Sequence, residues 1–376
     1  MKICIATSTR ADWGLLSPLA KRLDSIRGVT LQILATNMHL SERYGHTADE
    51  ILADGFRITE AVPMPTDGDT GADKAHAMAA CLAGCADALS RMAPDILVIL
   101  GDRYEMLSVA SAAAIMRIPI AHIAGGETTE GAIDDNIRHA ITMLSSLHFT
   151  AAEPYRERVL TMGKPAHTVF NAGALGVWNA MHHQLMSHRE LAESLGFDFE
   201  DKHLFVATFH PATLDYGASP ATRAAEMLAA IDRFPDYKTI LTYPNNDAGS
   251  ADIIHLIEGY AATRPGRVLL IKSLGKTRYL SALSFAAAVI GNSSSGIVEV
   301  PATGVPTVDI GIRQKGRLCG PSVIHCGDTA DEISQAISLA LSPAHLQTAS
   351  RRENPYYRDD TVDFIADKLL NHKNIC

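Results

Sequence analysis

No segment of this chain concentrates lysine and arginine, and that absence is the first constraint. With 33 basic against 42 acidic residues the formal net charge is -9. The positive face that a nucleic-acid or anionic-membrane surface requires is missing, so any bound anion is held locally. No apolar stretch approaches a membrane-spanning length of about 20 residues. The opening MKICIATSTRAD is a strand-length apolar run followed by charge, without the longer apolar region and small-residue cleavage site of a secretion signal. The six cysteines (Cys4, Cys81, Cys85, Cys319, Cys326, Cys376) form no CxxC pair. Reduced thiols in a cytoplasmic protein are expected from that pattern.

Several motifs are missing as well. No GxGxxG follows the first apolar run, which argues against a nicotinamide cofactor. SLGKTR resembles the end of a P-loop, but Leu270 stands where the upstream glycine is required. GNSSSG departs from the GxSxG nucleophile elbow because Ser295 takes the last glycine position. His182, His183 and His188 lack the HExxH spacing, so no metal is indicated. The sequence calls for no cofactor.

What is present is an ordinary globular composition, 47% hydrophobic and 20% charged. At 376 residues the chain exceeds the usual limit for one core, and two domains are expected. Short apolar runs recur with helix-length segments between them: KICIAT, VTLQILAT, PDILVIL, IPIAHIA and LHFTA, then HLFVATF, KTILTY, RVLLIK, AAVIGN, PTVDI and SVIHC. That alternation is the pattern of parallel sheets covered by helices. The fold class expected is α/β, with two Rossmann-like doubly wound domains and a central cleft. The boundary is placed within residues 172–185, giving domains 1–175 and 176–355 with MHHQLMSHRELAESLGFDFEDK as a polar helical linker. In RDDTVDFIADKLLNHK, Val362, Phe364, Ile365, Leu369 and Leu370 share one face of a helix that starts behind an aspartate-rich cap.

Open parallel sheets bind ligands beyond the carboxyl ends of their strands. The loops at those positions are charged: STRADWG (Ser8–Gly14), GDRYE (Gly101–Glu105) and GGETTEGAIDDNIRHA in the first half. The last crowds Glu127, Glu130, Asp134 and Asp135 ahead of Arg138 and His139. In the second half the loops are TFHPATLD with His210, YPNNDAG with Asn245, Asn246 and Asp247, and GNSSSGIVE. Gly291, Asn292 and the serines 293 to 295 at a helix start present donors suited to a phosphate. Arg313 adds charge, and Glu299 is placed to accept from ribose hydroxyls. Acids in one half and phosphate donors in the other point to a nucleotide-linked substrate.

Each loop also has a plainer reading. Ser-rich turns before helices are mostly N-caps. Asp102 is placed to cap a helix while Arg103 faces solvent, and His210 ahead of Pro211 fits a structural loop histidine. Asp134 and Asp135 stand at the i, i+3 and i, i+4 spacings of ordinary helix ion pairs with Arg138 and His139. The coincidence of such loops at strand ends favours function.

Read in order, STRADWG, LGDRYEML, HIAGGETTEGAIDDNIRHAI, FHP, YPNNDAG and GNSSSGIVEV resemble the hydrolysing UDP-N-acetylglucosamine 2-epimerases over nearly the whole chain. The resemblance implies a fold similar to the B-type glycosyltransferases, with UDP mainly on the second domain. It also implies that the C-terminal helix, residues 356–376, packs back on the first. It implies release of UDP and free N-acetylmannosamine for sialic or related nonulosonic acid biosynthesis and surface polysaccharide, by a homo-oligomer (dimer or tetramer). By matched position the catalytic groups are Asp102, Glu127, Asp134 and His210. Arg10, Arg103, Arg138, Asn245, Asn292, Ser293, Ser294, Glu299 and Arg313 hold the UDP-sugar, Arg138 also supporting Asp134. The chain departs from the pattern at Ala124, where many relatives carry a glutamate, at Leu15, where some carry lysine, and in STRADW where GTRADY is more usual.

Such a reaction explains the acids. The C2 proton has no neighbouring carbonyl to acidify it, so departure of UDP from C1 must supply driving force. Arginines and helix-start donors stabilise that leaving charge. Inversion at C2 needs a base and an acid on opposite faces, and crowded carboxylates titrate as a coupled set that keeps one protonated. The same reaction on a UDP-2,4-diacetamido-2,4,6-trideoxyhexose, a non-hydrolysing epimerase, a B-type glycosyltransferase and a non-enzymatic nucleotide-sugar sensor are the alternatives.

Overall fold

The computed structural model describes residues 1–42, 45–65, 68, 70–128, 134–211, 218–244 and 249–374. All eleven apolar runs form strands. In chain order the strands are β1 (Lys2–Thr7), β2 (Thr30–Thr36), β3 (Glu60–Val62), β4 (Ile96–Leu100), β5 (Ile120–Ile123), β6 (Leu147–Thr150), β7 (Val169–Asn171), β8 (Leu204–Thr208), β9 (Lys238–Thr242), β10 (Val268–Ile271), β11 (Ala288–Gly291), β12 (Thr307–Ile310) and β13 (Val323–Cys326). Among the described residues the chain divides into two compact units: 1–127, 134–178 and 358–374 in the first, and 128 with 179–357 in the second.

The first unit holds a seven-stranded sheet in the order β3-β2-β1-β4-β5-β6-β7, parallel at every pairing. Its strands are apolar on both faces because helices cover both. Ile3, Ile5, Ile33, Ile96 and Val98 point to one core. Cys4, Ala6, Leu34, Leu97 and Ile99 point to the other. On the first face lies the helix Arg10–Asp24, burying Trp13, Leu16, Leu19 and Leu23. On the second lies Gly71–Met92, which begins with a Thr70–Asp73 capping box.

The amphipathic C-terminal helix Thr361–Leu370 packs on Arg10–Asp24 and buries Val362, Ile365 and Leu369. Its expected aspartate cap is not formed. Asp360 occupies the N-cap position without a side-chain cap bond, because its carboxylate is taken by Arg358 at 2.5 Å.

The second unit repeats the plan with six parallel strands in the order β10-β9-β8-β11-β12-β13. The helix His188–Leu195, read from sequence as linker, belongs to this unit. Its Leu191 sits in the core with Phe197, Phe199 and Leu204. In both sheets the order reverses beside the first strand, between β1 and β4 and between β8 and β11. Chain departing to opposite sides leaves a crevice at such a point, the usual ligand position of this architecture.

Candidate active site

In the first unit the switch point is occupied by the loops after β1 and β4. Ser8 donates from its hydroxyl to Asp12 at 2.7 Å, and Thr9 caps the following helix by accepting from the Asp12 backbone N–H. Burial raises the Asp12 carboxyl, against the opposing pull of Arg103 and Ser8. Arg10 begins that helix; burial lowers its pKa and the neighbouring Glu50 charge opposes the shift.

After β4, Asp102 does not cap a helix. Arg103 takes the N-cap position of the helix Tyr104–Ile115, and Asp102 pairs directly with Arg138. Arg138 is 1% exposed and also donates to Asp135 Oδ1 at 2.8 Å and to the Glu127 carbonyl at 3.0 Å. One buried guanidinium thus ties together the loop after β4, the loop after β5 and the first turn of the helix Asp134–Leu144. The ordinary helix pairing holds for Asp135, which reaches Arg138 at 2.8 Å and His139 at 3.8 Å. Arg103 is committed to Glu105 at 2.7 Å. Burial alone would raise the Glu105 carboxyl, but Arg103, Asn37 and Ser8 carry it below its usual value.

His122, on β5, holds the opposite side of the β4 loop. Its Nε2 lies 2.8 Å from the Gly101 carbonyl and its Nδ1 3.1 Å from the Thr142 hydroxyl. Burial drives its pKa down to about 4, so the ring is neutral and donates to that carbonyl. Ala124, where a glutamate was expected, has a φ of 63°, a left-handed conformation that few non-glycine residues adopt. Glu127 is buried.

The second unit brings together His210, Asn292 and Arg313. The Asn292 side chain accepts from the His210 backbone N–H at 2.7 Å and donates to its carbonyl at 2.8 Å. Its amide is spent on positioning the histidine rather than on offering donors outward. The His210 ring is buried, and burial together with Arg313 pushes its pKa well below the ordinary value. Arg313 and Gln314 both donate to the Asn292 carbonyl, at 3.1 and 2.8 Å. Arg313 also lines a small pocket with Phe209, Pro220, Arg223, Gly311 and Asp328.

The turn after β11 depends on Gly291. A Cβ there would lie 1.8 Å from the Thr208 carbonyl oxygen. Ser293 is the N-cap of Ser294–Val298 by position, yet its side chain makes no cap bond. Neither the Ser293 nor the Ser294 hydroxyl has a partner among the described residues, and Ser294 is exposed. Ser295 is spent on Tyr279 at 2.7 Å. Glu299, half-buried, follows that short helix; desolvation first, with the Glu299 charge adding to it, raises the partly buried Tyr279. Asn245 and Glu130 lie outside the described residues.

Sequence reading passed over His122 and Gln314, and named Glu105 and Asp135 only as members of charged loops. Glu105 and Asp135 were visible beside charged partners at short spacing. His122 and Gln314 act across strands and left no local mark.

A twice-repeated parallel sheet with charged strand-end loops at each switch point defines a protein of the B-type glycosyltransferase fold. The crystal structure of UDP-GlcNAc 2-epimerase from Neisseria meningitidis bound to UDP-GlcNAc superposes with a TM-score of 0.82 at 16% identity, over 99% of this chain and 100% of that one. A family model described as UDP-N-acetylglucosamine 2-epimerase matches residues 21–370. The GDP/UDP-N,N'-diacetylbacillosamine 2-epimerase (hydrolyzing) of Campylobacter jejuni is 38% identical over 86% of this chain and 83% of that protein. Polysialic acid biosynthesis protein P7 of Escherichia coli is 34% identical over 99% of this chain and 96% of that protein. The chain belongs to the hydrolysing UDP-N-acetylglucosamine 2-epimerase family, enzymes that act at C2 of a UDP-sugar. Among the described residues no helix is long and apolar enough to cross a membrane.

Proposed function

We propose that this enzyme eliminates UDP from UDP-N-acetylglucosamine and hydrates the resulting 2-acetamidoglucal, releasing free N-acetylmannosamine. The observation that carries the reading is the buried Arg138, which fixes Asp102 at the end of β4 and the segment around Glu127 and Asp135. A general base must be held to within fractions of an ångström of its proton, and a buried guanidinium does that.

Asp102 and Asp134 divide the base and acid roles at C2, with Glu127 beside them. His210, kept neutral by burial and Arg313, has a lone pair free to accept a proton without first releasing one to solvent. Arg313 with the free hydroxyls of Ser293 and Ser294 takes the diphosphate, whose charge grows as the C1–O bond breaks. Glu299 and Asn245 take the nucleoside. Arg10 and Arg103 complete the charge balance around the sugar. Arg138 and Asn292, spent on Asp102 and on the His210 backbone, act by positioning. The free sugar enters sialic or related nonulosonic acid synthesis, and the working form is a homo-oligomer.

A second substrate is favoured by one observation. The relative at 38% identity is named for a diacetamido sugar, and the same elimination and hydration apply to UDP-2,4-diacetamido-2,4,6-trideoxyhexose. Incubating the purified protein with each UDP-sugar, without acceptor, and separating the products by anion exchange tests both. Equal amounts of UDP and free manno-configured sugar from one substrate support the reading and name the sugar. An intact UDP-manno product, or no UDP from either, overturns it.

A further inference from the structure

In the second unit, three residues that the proposed reaction does not use form a hydrogen-bonded chain. Asp309 on β12 and His325 on β13 are register partners in the parallel ladder. His325 Nδ1 lies 2.8 Å from Asp309 Oδ2, with Asp309 2% exposed and His325 51%. The other ring nitrogen, Nε2, lies 3.4 Å from Cys319 Sγ. A buried carboxylate orients an imidazole, and the imidazole faces a thiol.

The thiol is held in place. The Leu318 carbonyl accepts a hydrogen bond from Tyr356 at 2.5 Å, and Tyr356 is fully buried. On the other side Gly320 presses on the chain near Glu353, where a Cβ would come within 2.4 Å of the Glu353 carbonyl. Asp309 first and Cys319 next push the His325 pKa up to about 10. At neutral pH the ring is therefore protonated, and its Nε2–H faces the sulfur as a cationic donor. Arg313 and Arg317, also near Asp309, add positive charge to the neighbourhood. An adjacent cation of this kind is what makes a cysteine nucleophilic.

The other described cysteines differ. Cys4, Cys81 and Cys85 have no solvent exposure. Cys326 donates from Sγ to the Asp309 carbonyl at 3.6 Å, and burial raises its pKa to about 12. Cys319 is partly exposed.

We propose that Cys319 is a modification site, a thiol activated by His325 and Asp309 that exchanges with small disulfides. In the step, Sγ attacks one sulfur of the disulfide, a new S–S bond forms and the old one breaks. The departing thiolate takes a proton from solvent. Cys319 is oxidised to the mixed disulfide while half of the reagent is reduced to thiol, so no further oxidant is required.

The test treats the folded protein with oxidised glutathione at pH 7 and follows glutathionyl adducts by peptide mass spectrometry. Cys319 is expected to be modified first, with the adduct reversed by dithiothreitol and absent in Cys319→Ser. His325→Gln, at an exposed position, keeps the fold and is expected to slow modification of Cys319 by about tenfold or more. Asp309→Asn is expected to slow it by a smaller factor. Equal rates for Cys319 in the parent and in His325→Gln would overturn the proposal, as would preferential modification of any other cysteine.

Discussion

Arg138 and Asp102, 36 residues apart, are joined by a direct ion pair that fastens the loop after β4 to the helix Asp134–Leu144. Arg138 is almost wholly buried, and Asp135 and the Glu127 carbonyl share its guanidinium. Replacing it by methionine strands two carboxylates next to a buried apolar stem. The expected loss is about 3–5 kcal/mol of stability, the scale for breaking a buried pair, and turnover should fall with it. Chemical denaturation alongside initial rates checks this.

Asp102→Asn and Asp134→Asn test the acid/base assignment without removing bulk. Each is expected to lower turnover by roughly two to four orders of magnitude, with UDP affinity little changed. Near-parental rates in both variants would contradict the assignment.

Asn292 and Ser293 are neighbours with different tasks, and their variants should separate. Asn292→Ala removes two hydrogen bonds to the His210 backbone, leaves buried groups unsatisfied and is expected to cost about 2 kcal/mol. The pair Ser293→Ala with Ser294→Ala breaks no hydrogen bond among the described residues. It should leave the melting temperature unchanged and weaken UDP binding about tenfold, read by calorimetry.

Gly291→Ala is expected to be severely destabilising because its Cβ would overlap the Thr208 carbonyl between paired strands. Loss of soluble protein, or a melting temperature lower by many degrees, is the expected outcome.

Buried neutral histidines set an acid limit. Burial lowers His39 and His122 to about 4 and His148 to about 3. Above the unfolded value of 6.5 both states are neutral and these groups add nothing to the pH dependence. Below it the unfolded chain binds protons that the folded chain refuses, so stability falls as pH drops from about 6.5 toward 4. His325, raised to about 10, acts in the opposite sense. Its contribution is complete below 6.5 and is lost as pH rises through 10. The parent and His325→Gln should therefore converge in stability at alkaline pH, as urea midpoints across pH will show.

The strands were legible because parallel strands covered on both faces read as unbroken apolar runs. β3 and β7 escaped notice for a physical reason. Each is a three-residue edge strand, and Glu60 and Asn171 interrupt any apolar signal. Within the site, the contact of Arg138 with Asp135 followed from their i, i+3 spacing, whereas its contact with Asp102 depends on how β4 and β5 align. The cap reading of the GNSSSG turn is not met. Ser293 does not cap its helix, and Asn292 turns back to His210 across the β8–β11 pairing. Side chains that serve a neighbouring strand leave no periodicity in their own segment.

The most direct test of the central claim is proton NMR of the enzyme with UDP-N-acetylglucosamine, and separately with the diacetamido analogue, in deuterated water. Elimination followed by hydration predicts UDP together with a free manno-configured sugar carrying deuterium at C2. Free sugar that retains the original C2 proton, or no UDP from either substrate, would contradict it.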